Sequence, residues 1–162
     1  MTGPTTLPGD EQRTPLPDRV VTYWRVGSAL VSIPVTLVII GALVGGGAPV
    51  AVTIAVTALL VAGFLAEMLV VIPRRHALWW YSIGTEQIDL EHGWIVRRRT
   101  VVPMTRVQHV QLERGPLADR FSLAELKIFT AAGFVQIPAL DRAEGDRIRQ
   151  QIAELARIAD DL

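Results

Sequence analysis

The chain has 162 residues, half of them hydrophobic, with 16 basic and 16 acidic side chains and no cysteine. This excludes disulfides, cysteine-ligated zinc, iron–sulfur clusters and thiol nucleophiles, and the absence of a basic excess argues against a nucleic-acid partner. The apolar residues concentrate between Val26 and Ile72, so two unlike parts share one chain.

Residues 1–22 are rich in Pro, Thr and Gly and poor in apolar anchors, which predicts an unstructured lead-in. A two-span transmembrane hairpin is expected over 23–75. Val26 to Val44 is nineteen residues without a charge, roughly 28 Å as a helix and close to a hydrocarbon core of about 30 Å. Gly45-Gly46-Gly47 ends it, and Val50 to Ile72 is long enough to return. A cleaved signal is the rival reading of the first segment, but the apolar core is longer than signals carry and a long segment precedes it. Arg19 and Arg25 flank the first span, Arg74 and Arg75 follow the second, and the GGGAP tip is uncharged. Both termini are therefore expected in the cytoplasm of a multi-pass protein of the cell membrane. Tyr23-Trp24 and Trp79-Trp80-Tyr81 sit where interfacial aromatics belong. Glu67 is the one ionisable residue within the apolar stretches. It is a candidate intramembrane polar site, set against a structural reading in which it reaches the interface or pairs with Arg74 or Arg25.

Beyond Ile72 the pattern alternates, and 76–162 is expected to form a cytoplasmic domain. Strands are predicted at Trp80–Ile83, Gln87–Glu91, Ile95–Val102, Val107–Glu113, Ala124–Ala131 and Phe134–Ile137, with Pro103, Gly115-Pro116, Ala132-Gly133 and Pro138 as breaks. The three-residue step from Val107 to Val110 breaks strict alternation and predicts a bulge. Gly115 and Pro116 should open a helical turn, with Leu117 and Phe121 packing inward. Asp141 and Glu144 form a capping-box-like start. Ile148, Ile152, Leu155, Ala159 and Leu162 then mark one face of a helix over 142–160, expected to cover the open end of the sheet. The fold class is α+β: a transmembrane helical hairpin, then an antiparallel sheet or open barrel with a C-terminal helix.

The run R-T-V-V-P-M-x-R-V-Q-H-V, Arg99 to Val110, and G-P-L-A-D-R-F-S-L-A-x-L-x-I-x-T-A-x-G, Gly115 to Gly133, carry a family resemblance. With the two spans and the final helix, they resemble the YdbS-like bacterial pleckstrin-homology membrane proteins of the bPH2 type, over roughly 20–155. Pro103, Val107, Val110, Gly115, Pro116 and Phe121 are the fold-signature positions. At Ser122 the chain departs from the Phe-Gly-Leu-Ala run expected of the family. The resemblance implies a fold similar to eukaryotic pleckstrin-homology domains, and it carries no agreed activity.

His109, between Arg106 and Glu113, lacks a nearby nucleophile-elbow or metal-binding pattern, so a structural histidine is expected and no catalytic residue, metal or cofactor is assigned. Arg97, Arg99, Arg106, Arg114 and Arg120 are the candidate contact surface. Arg97 and Arg99 share a strand face, where anionic head groups or cross-strand pairing with Glu91 or Glu113 compete for them. The portion after Ile72 has thirteen Arg and Lys against twelve Asp and Glu, so it is not a polybasic anchor. The function expected is a non-enzymatic membrane protein whose cytoplasmic domain contacts a protein partner, another copy of itself, or lipid, as a subunit of an envelope complex. The alternative is a small transporter or channel subunit that uses Glu67 in an oligomeric bundle.

Overall fold

A computed structural model describes residues 13–93 and 96–160, with side chains of the final helix described to Leu155. The chain begins with β1 (Thr14–Pro15), followed by α1 (Arg19–Gly45) and α2 (Val50–Ala66). A π-helical turn at Glu67–Val71 continues α2 into α3 (Ile72–Ala77). The domain then runs β2 (Trp80–Ile83), β3 (Gln87–His92), β4 (Arg98–Pro103), a 3-10 turn (Met104–Arg106) and β5 (Val107–Glu113). It ends with α4 (Pro116–Arg120), β6 (Leu123–Thr130), β7 (Gly133–Asp141) and α5 (Arg142–Asp160).

Two antiparallel sheets, ordered β1-β2-β3-β4 and β5-β6-β7, enclose one core and leave the assembly open rather than closed into a barrel. Alternation decides which side chains enter that core, because successive residues of a strand face opposite ways. In β6, Leu126 and Ile128 are fully buried, whereas Lys127 between them is on the outer face. Ile148 and Ile152 of α5 complete the core, so the amphipathic stripe read from the sequence covers the sheets as expected. Ala159 in that stripe has no described side chain, and Leu162 lies outside the described residues. Gly145 allows α5 to approach closely, since a methyl there would meet Leu112 Cδ1 at 3.0 Å.

The predicted bulge between Val107 and Val110 is present: Val107 pairs with Thr130 but His109 with Phe129, leaving Gln108 as the extra residue. Gly115 and Pro116 start α4 as expected, Pro116 occupying the first turn where its missing N–H costs nothing. The structure corrects four expectations. Pro138 does not end its strand; β7 continues to Asp141 through a second bulge, in which Pro138 and Ala139 oppose Glu125. The third strand begins at Arg98 rather than at Ile95, which lies outside the described residues.

The unstructured lead-in is the third correction, for residues beyond 13. Thr14 and Pro15 pair with Tyr81 and Trp80, and Leu16 and Val20 are buried at 2% and 0% exposure. The apolar anchors are few but well placed, and His76 Nε2 lies 2.9 Å from the Leu16 carbonyl oxygen. The first twelve residues lie outside the described part. The fourth concerns the aromatic belt: Trp79 and Tyr81 are core residues, because the strand that starts at Trp80 turns them inward.

Candidate functional site

The helices of the hairpin expose their apolar side chains; Leu30, Val38, Ile54 and Leu59 are all more than 60% exposed. Such a surface is stable in hydrocarbon rather than in water. At the foot of the hairpin the polar residues begin together. Arg25 of α1 donates from Nε to the Met68 carbonyl oxygen at 3.2 Å, a carbonyl in the π turn, where the ordinary helical ladder is interrupted. Arg75 stacks over Trp24 at 4.5 Å from the ring centroid. Glu67 opens the π turn, and no ion pair with Arg25 or Arg74 is present among the described contacts.

Between this foot and the β domain lies an open cleft of about 590 Å³. The hairpin contributes Tyr23, Trp24, Gly27, Ser28, Glu67, Ile72 and Arg75. Across it stand Glu113, Gly115, Leu117, Ala118 and, from β6 and β7, Glu125, Gln136, Pro138 and Ala139. Two features read separately from the sequence, Glu67 and the Gly115–Phe121 segment, therefore meet at one place. Tyr23 packs edge-on against Phe121 with centroids 6.0 Å apart, and Leu117 Cδ2 lies 3.7 Å from where a Gly27 side chain would begin. The helical period had shown Leu117 and Phe121 facing inward, but not that the surface they meet belongs to the first membrane helix.

The outer face of the β5-β6-β7 sheet continues away from the cleft in three rows set by register. Glu113 faces Glu125; Gln111, Lys127 and Gln136 lie abreast; His109, Phe129 and Phe134 form the far row. His109 stacks on Phe129 at 4.2 Å, and Phe134 is 55% exposed. Lys127 donates to Glu113 at 2.6 Å, and that hydrogen bond holds its ammonium pKa above the ordinary value. His109 thus stands in an aromatic row. His92 stacks on Trp79, and His76 binds the N-terminal segment.

Two of the five arginines are engaged within the fold. Arg99 makes a two-pronged bond to Asp89, Nε–Oδ1 3.0 Å and Nη2–Oδ2 3.1 Å, so the buried carboxylate it reaches is neither Glu91 nor Glu113. Glu91 is opposite Arg99 in register, but Asp89, two residues along the same face, is 2% exposed and has the greater need of a counter-charge. Arg114 bonds Asp146 at 3.1 Å, pinning α5. Arg97, Arg106 and Arg120 are exposed and make no ion pair among the described residues.

A transmembrane helical hairpin carrying two antiparallel sheets and a covering helix defines a membrane protein with a pleckstrin-homology-like domain. The chain belongs to the bacterial PH domain family, whose description matches residues 26–156. Over 92 residues it is 47% identical to the UPF0699 transmembrane protein YdbS of Bacillus subtilis (strain 168), covering 56% of this chain and 58% of that relative. The similarity therefore spans less than two thirds of the relative's length. No solved structure matches the chain.

Proposed function

We propose that the protein is a non-enzymatic interaction module of the cell membrane, both termini cytoplasmic, that presents its β domain to a protein partner within an envelope complex. The observation that carries this reading is the shared core of hairpin and domain. Val20 of α1 is fully buried in the same cluster as Leu123 and Ile152, so the domain is fastened to its anchor rather than hung on a linker. A fastened domain offers a partner a fixed face at a fixed height, which lowers the ordering cost of binding.

The face we favour is the outer side of β5-β6-β7, where Phe134 is an exposed aromatic anchor beside His109 and Phe129; aromatic residues carry a large share of interface energy. Arg97, Arg106 and Arg120 serve as contacts around the domain, while Arg99 and Arg114 act in the fold. Glu67 stands at the foot of the hairpin, where it lines the cleft. That position supports the interaction reading over a transport path.

Affinity purification of the full chain from native membranes tests the reading. A partner recovered with wild type should be lost with Phe134→Glu and weakened with Arg97→Glu. A partner retained by both variants, or no partner in any sample, refutes it. The orientation is tested by a reporter fused after Gly46, which should behave as outside the cytoplasm.

A further inference from the structure

The cleft at the hairpin foot carries both signs of charge beside the apolar flanks of the membrane helices. Helix rise gives about 28 Å for 26–44 and about 26 Å for 50–66, so Val26 and Ala66 come to the same boundary of the hydrocarbon. The contact between Arg25 and the Met68 carbonyl holds the two helices level at that point. Glu67, Arg75 and the cleft therefore lie in the layer where lipid head groups lie.

Arg75 and Glu67 both line the cleft, yet they form no salt bridge with each other among the described residues, and Arg75 rests on the Trp24 ring. Across the cleft, Lys127 binds Glu113 and approaches Glu125 to 3.8 Å, which leaves Glu67 as the lining carboxylate without a described ion pair. On the hairpin wall, one anion and one cation that have no counter-charge among the described residues match a ligand that carries both signs. A cleft of about 590 Å³ falls within the usual range for small-molecule sites. The apolar flanks of α1 and α2 offer a surface for acyl chains leaving it.

We propose that the cleft holds the head group of an aminophospholipid, with its primary ammonium on Glu67 and its phosphate on Arg75. The ammonium can donate up to three hydrogen bonds, for which Glu67 on the hairpin side and the Gln136 amide oxygen across the cleft are acceptors. A quaternary ammonium can donate none, and an anionic head group without an amine leaves Glu67 facing like charge. The proposal rests on the inserted hairpin, not on the partner-protein reading, and each can fail without the other.

The test is lipid titration of the delipidated full chain in non-ionic detergent, followed by native mass spectrometry and thermal unfolding. Short-chain phosphatidylethanolamine, phosphatidylcholine and phosphatidylglycerol are compared. Phosphatidylethanolamine should bind about tenfold more tightly than phosphatidylcholine, the size of one charge-assisted hydrogen bond. Glu67→Gln should abolish that difference, Arg75→Gln should weaken both lipids, and Arg98→Gln, away from the cleft, should change neither. Equal affinity for the three lipids, tightest binding of phosphatidylglycerol, or a preference that survives Glu67→Gln overturns the proposal. Should Glu67→Gln fail to fold, the wild-type comparison of the three head groups still decides.

Discussion

Ser122 shows how a single residue records a backbone demand. It has φ 54°, in the left-handed region, where it turns the chain from α4 into β6. The family resemblance led to an expectation of Gly here, and the geometry supplies the reason: a side chain at that φ costs about 1–2 kcal/mol, and Gly avoids it. Ser122→Gly should therefore raise the stability of the full chain by about 1 kcal/mol, read from thermal unfolding in detergent. Ser122→Val should lower it.

Tyr81 carries a second residue-scale consequence. Burial, and then the Glu144 carboxylate to which its hydroxyl donates at 3.2 Å, push its phenol well above the ordinary value. The folded chain keeps this proton at a pH where the unfolded chain has lost it. Stability is thus fully present below about pH 10 and falls as pH rises beyond it. Tyr81→Phe should flatten that alkaline slope in a pH series of unfolding curves. Lys127, raised by its bond to Glu113, slopes the same way, so the variant should reduce the loss without removing it.

At the scale of elements, the strands and the final helix were legible because periods of two and of three to four are direct consequences of pleat and helix geometry. The boundaries of β2 and β5 coincide with expectation, as does the start of α5 at Arg142. Pro138 misled because proline signals a strand end, while here the unpaired position of a bulge accommodates it. The capping box was half right. Asp141 Oδ1 accepts from the Ala143 N–H at 3.2 Å, but Glu144 turns to Tyr81, a long-range partner that local spacing does not reveal. Gly145 likewise looks like a weak helix position until its contact with Leu112 is known. Gly145→Val should cost about 1–3 kcal/mol by forcing α5 off β5, measured as a lower unfolding midpoint, whereas a shift confined to helix propensity would be smaller.

For the whole molecule, the two halves were legible separately and their joint was not. Composition separates a membrane part from a sheet part, but whether they share a core depends on contacts between residues more than a hundred positions apart. Val20 is the clearest instance, reading as an ordinary flank of the first span although it is fully buried with Ile152. The cleft was hidden for the same reason, since Glu67 and Glu125 come from different halves. Val20→Asp should loosen the domain while leaving the hairpin inserted. Hydrogen exchange should then rise in β6 and α5 but not within α1 beyond Ser28. Unchanged exchange in β6 would mean the shared core is not what fastens the domain.

That shared core also orders the events of biosynthesis. Leu16 and Val20 leave the ribosome before both membrane helices, and the strands and helix that bury them follow those helices. The nascent chain must keep its first apolar turn uncovered until α5 arrives on the same side of the membrane. A hairpin with only one helix inserted would strand that turn from its partners. Correct insertion is thereby a condition for completing the domain, and an exposed Leu16–Val20 patch marks the chains that have failed it.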